Sequence, residues 1–156
     1  MAAPVSRMYL AWLAVCWAFS VVSLGLSARI ISHGTIFPSS EFHGVLIQNV
    51  FAQSWNTLFT TLFLIGSAVA ARSIFFGAAA NFVFIFLGFL QTIVGLGSFS
   101  AVVKQYGIPE MNSIYKAYWG IGWVTTFFIM FAALYAGKEY LTGQATPVKQ
   151  HKEEHF

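Results

Sequence analysis

Residues 77–103 read GAAANFVFIFLGFLQTIVGLGSFSAVV, a run without a single Asp, Glu, Lys or Arg. About 20 apolar residues in helical conformation cross the hydrocarbon of a bilayer, so length and composition together predict a transmembrane helix here. Three more stretches share its character, at about 8–28, 44–71 and 112–136, and none carries a charged residue in its central turns. The whole chain agrees. Of its 156 residues 58% are hydrophobic, 18% aromatic and 8% charged, against roughly 25% charged in a soluble domain. The sequence therefore predicts an all-α integral membrane protein, a bundle of four transmembrane helices with short loops. Residues 1–141 form the membrane domain and 142–156 a polar C-terminal tail.

The first stretch, MYLAWLAVCWAFSVVSLGLS, is too long for the apolar region of a cleavable signal, which spans about 7 to 15 residues, and Trp12 and Trp17 interrupt it. It reads as a retained span. The four prolines, Pro4, Pro38, Pro109 and Pro147, lie outside all four cores, as uninterrupted helices require, because an internal proline removes a backbone donor. Pro109 and Glu110 predict a helix start, with Lys138 near the negative end of the same helix. Four alternating spans place Arg7, Arg72, Lys138, Lys149 and Lys152 on one side and Arg29, Lys104 and Lys116 on the other. The excess of basic residues puts both termini in the cytoplasm, for a multi-pass protein of the plasma membrane or an endomembrane. Tyr9, Trp12, Tyr106, Tyr115, Tyr118 and Trp119 suit interfacial belts or packing inside the bundle.

The remaining chemistry is sparse. Cys16 is the only cysteine and lies within the first span, so no disulfide can form within the chain. His151 and His155 have the spacing of a helical metal pair, but no further ligands accompany them and a solvated tail is the simpler reading. No ionisable group sits at depth for ion or proton transport. No nucleophile stands with a base, and no glycine-rich phosphate loop or basic patch is present. The sequence predicts no enzyme activity, no cofactor, no metal and no nucleic-acid partner.

Asn49, Gln53, Asn56 and Thr60 recur at steps of four, three and four and so share one helix face. Facing lipid, their amides would go unpaired, so the stripe is expected to meet another helix, water or a polar head group. Gly88, Gln91, Gly95 and Ser98 form a matching small-residue face on the third span, where Gln91 could bond across the contact. Ser20, Ser23, Gly25 and Ser27 in the first span and Gly120 and Gly122 in the fourth can serve the same close approach. These are the expected helix–helix or lipid contacts.

The layout, with Arg7 before the first span, SVVSLGLSARIIS closing it at 20–32, and Ala117, Trp119 and Trp123 within KAYWGIGWVTTFF at 116–128, resembles small tetraspan membrane proteins of the MARVEL-like group, particularly fungal ones. The third span departs from that pattern in lacking an acidic, tryptophan-rich start. The resemblance implies a non-enzymatic role in organising membrane domains, apposition or traffic through membrane lipids and self-association. Two other readings fit the same residues: an accessory subunit of a larger integral membrane protein complex, and a small lipid-binding or lipid-modifying protein using the polar stripe.

Overall fold

Long runs of Leu, Ala, Phe, Ile and Val without internal proline favour helices, which satisfy their own backbone groups. The computed structural model describes residues 5–32, 40–70, 74–106 and 113–145. Helix α1 spans Arg7–Ser32, α2 Ser40–Val69, α3 Ala78–Tyr106 and α4 Ser113–Ala145, and a 3-10 turn at Ile74–Phe76 leads into α3. Helices α1, α3 and α4 are each long and apolar enough to cross a membrane. Helix α2 has the length, at 30 residues, but Gln48, Asn49, Gln53, Ser54 and Asn56 dilute the apolar character of its first half.

Several ends differ from the sequence-based expectation. Helix α1 continues past 28 to Ser32, and α2 begins at Ser40 rather than 44. Helix α4 continues past 136 to Ala145, so Lys138 lies inside it and does not mark its negative end. The physical reason is plain: between 137 and 145 only Gly137 and Gly143 are strong helix disfavourers, and the next proline is Pro147. Pro109, Glu110, His151 and His155 lie outside the described residues.

Each helix packs against its neighbours in chain order, and α4 closes the ring onto α1, whereas the diagonal pairs α1–α3 and α2–α4 keep their backbones apart. Neighbours run antiparallel. Phe99 stacks edge-on with Tyr118 near one end of the α3–α4 pair, while Phe82 borders Gly137 near the other. Tyr9 stacks on Tyr135 and Phe19 on Phe128 along α1 and α4. The result is an up-down-up-down four-helix bundle.

Two apolar clusters occupy its ends. Tyr9, Leu13, Cys16, Phe63, Ile85, Ile129, Ala132, Ala133 and Ala136 fill the end where α1 begins. Ile30, Phe42, Leu46, Phe99, Val102 and Tyr118 fill the end where α1 finishes. Outward positions carry exposed apolar side chains on every helix, among them Val22, Phe51, Ile65, Val94, Phe127 and Leu134.

The start of α1 is tied to α4. Ser6 Oγ accepts the Tyr9 backbone N–H at 3.2 Å, the N-cap interaction that relieves one of the unpaired donors of a first turn. The Ser6 backbone N–H in turn donates to both oxygens of Glu139, each at 3.2 Å. Ser6→Ala is expected to cost about 1 kcal/mol of stability. Thermal unfolding in detergent checks this, and a transition unchanged from wild type contradicts the capping role.

Candidate functional site

Between the two clusters the interior turns polar. Ser20 and Ser23 on α1, Asn49, Gln53, Asn56 and Thr60 on α2, Thr92 on α3, and Thr125 and Thr126 on α4 are all buried there. The helical period explains the collection. Helix α1 buries Tyr9, Leu13, Cys16, Ser20, Ser23, Ser27 and Ile30, one stripe at steps of three and four, and α2 buries its amides by the same rule.

The α2–α3 contact uses the small residues of α3 as sockets. Asn49 Nδ2 donates to Gly95 O at 3.0 Å and to Val45 O of its own helix at 2.9 Å. A Cβ added at Gly95 would stand 2.6 Å from Asn49 Oδ1. Two turns further along, Asn56 Nδ2 donates to Thr92 Oγ1 at 2.8 Å, and that hydroxyl donates on to Gly88 O at 2.8 Å. The Asn56 amide lies in the space a Gly88 side chain would take. Thr60 is buried, its hydroxyl donating to Asn56 O at 2.6 Å. Trp55 Nε1 adds a bond to Phe84 O at 3.3 Å from the margin of the same contact. Interhelical bonds of this kind contribute about 0.6 to 2 kcal/mol each inside a membrane.

Two members of the expected α3 face sit differently from the glycines. Gln91 and Ser98 lie at the margin, half-buried, and Gln91 Oε1 has no hydrogen-bond partner. Thr92 takes the inward position instead. Steps of three and four from Gly88 reach 91 and 92 equally, and the inward one is the smaller, less polar side chain. Gln53 is the outlier on α2: it is fully buried, and neither its Oε1 nor its Nε2 has a partner.

A second polar group, not singled out in the sequence, lies at the other end. Tyr9 OH donates to Asn81 Oδ1 at 2.8 Å across the diagonal from α1 to α3. Asn81 Nδ2 donates to Phe76 O and Gly77 O, both at 3.1 Å, fastening the turn before α3. Asn81 stands seven residues before Gly88, two helical turns along the same face, and that register was the available signal. Of the aromatic residues, Tyr9 and Tyr118 are buried, Trp12 and Tyr115 are half-buried, and Trp119 is exposed.

Among the described residues, two shallow apolar grooves open on the outside. One, of about 200 Å³, lies between α3 and α4 and is lined by Phe99, Ser100, Val103, Lys104 and Trp119. Trp119 Nε1 donates to Ser100 Oγ at 3.0 Å along it. The other, of about 240 Å³, lies between α1 and α4 at the opposite end and is lined by Trp12, Phe131, Leu134, Tyr135 and Lys138. Among the described residues no three His, Cys, Asp or Glu side chains converge to hold a metal. Compared with known proteins, the chain matches no family model, no curated protein and no solved structure.

Proposed function

We propose that the protein is a non-enzymatic, four-span membrane protein that organises membrane domains or assemblies through helix and lipid contacts, in the manner of the MARVEL-like tetraspans it resembles. The observation that carries this reading is the sorting of polarity. Asn49, Gln53, Asn56 and Thr60 of α2 turn inward, where Asn49 and Asn56 bond to α3, while Gln48 stays outside and large apolar side chains are exposed on all four helices. On this reading α2 is the fourth span, because its inward face removes Asn49, Gln53 and Asn56, three of the residues that lower its hydropathy, from lipid. Each groove joins aromatic walls to one lysine near an end of the bundle, an arrangement that suits an acyl chain beneath an anionic head group. The distribution of basic residues favours both termini in the cytoplasm.

A second reading, an accessory subunit of a larger membrane complex, is favoured by one feature. Gly97 on α3 and Gly120 on α4 are exposed, and an added Cβ at either would meet nothing within 4 Å. A partner helix could approach closely there.

Purification of the tagged protein in a lipid-preserving detergent, followed by mass spectrometry of everything retained, separates the two readings. A small homo-oligomer carrying lipid is the expected result. One large stoichiometric partner would replace the organiser reading by the subunit reading. A lipid or small molecule chemically altered by the purified protein would overturn both.

A further inference from the structure

The buried amide of Gln53 has no partner among the described residues, and the groups around it share that condition. Ser20 Oγ, Ser23 Oγ and Asn49 Oδ1 are likewise buried and unbonded, and all four residues are completely shielded from the outside. They occupy one region. Ile30 and Phe42 share one apolar cluster, and Tyr9 and Phe63 the other. The antiparallel register between those points sets Ser23 level with Asn49 and Ser20 level with Gln53.

Several hydroxyls elsewhere in the bundle solve the same difficulty locally, although Thr57, Ser67 and Tyr118 also keep unpartnered oxygens. Thr92, Ser100, Thr125 and Thr126 each donate to the carbonyl four residues back in their own helix. Ser20 and Ser23 do not. Neither atom of the Gln53 carboxamide bonds to a carbonyl of its own helix, as Asn49 Nδ2 does to Val45 O. An unmet amide at this depth is costly, and a structure that keeps one together with three orphan oxygens calls for a ligand that both donates and accepts.

We propose that Gln53, Asn49, Ser20 and Ser23 form a binding site for internal water. A buried water makes about three hydrogen bonds to otherwise unpaired groups, and these four side chains offer acceptor oxygens, an amide donor and two hydroxyl donors from two facing helices. The absence of any Asp, Glu, Lys, Arg or His among the buried residues of this layer makes the occupant neutral, since an ion would find no countercharge in a medium of low dielectric constant. The apolar clusters on either side close the site off from bulk solvent, so it is a pocket and not a channel.

Brief X-ray radiolysis of the protein in nanodiscs, in oxygen-18 water, tests this. Radicals formed from water bound in place oxidise the side chains beside it. Cys16, one turn from Ser20 on the same buried face, and Leu96, packed against Gly122 in the layer of the Asn49–Gly95 bond, are expected to be modified although both are completely buried. Gln53→Leu is expected to abolish both modifications while that at Met8, exposed in the first turn of α1, persists. If that variant does not accumulate, the Ser20→Ala/Ser23→Ala double variant is read in its place, with the same loss expected. An unmodified Cys16 and Leu96 in the wild type overturn the proposal, and so does modification that survives the substitution.

Discussion

Gly88→Leu is expected to abolish the folded bundle. The Asn56 amide already fills the place where a side chain at this position would begin, with Asn56 Cγ 3.2 Å and Trp55 Cδ1 3.3 Å from an added Cβ. An isobutyl group there forces α2 and α3 apart. That separation strips Asn56 and Asn49 of their acceptors on α3 and exposes a face that lipid cannot satisfy. The expected readout is loss of the monodisperse peak in detergent chromatography and loss of accumulation in the membrane. Gly88→Ala is the graded version, costing about 1 to 3 kcal/mol as an overpacked core does. Combined with Asn56→Ala it should recover part of that loss, because the clash is with one side chain. A double variant no more stable than the sum of the two single losses predicts would show that the contact is not the one described.

Asn81→Leu is expected to be the second most damaging single change. It removes the acceptor for the Tyr9 hydroxyl and the two donors that hold Phe76 O and Gly77 O. Three hydrogen bonds are lost in a completely buried place, and the hydroxyl of Tyr9 is left bare, for a total of about 3 kcal/mol or more. Tyr9→Phe alone removes one bond and should cost about 1 kcal/mol. In the Asn81→Leu background the same Tyr9→Phe change should cost nothing or restore stability, since no polar group is then left unpaired. Chemical or thermal unfolding of the four proteins in one detergent gives the coupling directly. Additive losses would mean that Tyr9 and Asn81 do not act on each other.

The bundle was legible because two signals agreed over long windows: unbroken apolar composition and a period of three to four in the polar residues of α2. The stripe of Asn49, Gln53, Asn56 and Thr60 is contiguous enough that only one face can hold it. The α3 face was harder. Glycine marks a close approach but not its direction, and Gly88 and Gly95 admit both Gln91 and Thr92 as the residue between them. Tertiary packing settles that choice, through the Asn56–Thr92 bond. The Tyr9–Asn81 pair links residues on helices that are not neighbours in the ring, and no local pattern foretells a contact across a diagonal. Helix ends were the least legible, since α1, α2 and α4 carry on through residues whose composition no longer resembles a membrane span.

The amides of α2 also bear on how the chain is made. On the four-span reading, α2 leaves the ribosome before the helix that satisfies Asn49 and Asn56, and by itself it is the least able of the four to partition into lipid. Its entry into the membrane then awaits α3, and the two enter as a hairpin, with Gly88 and Gly95 already against the asparagines. A nascent chain truncated before α3 would hold α2 at the translocon or in water, so the order of synthesis makes the third helix the chaperone of the second.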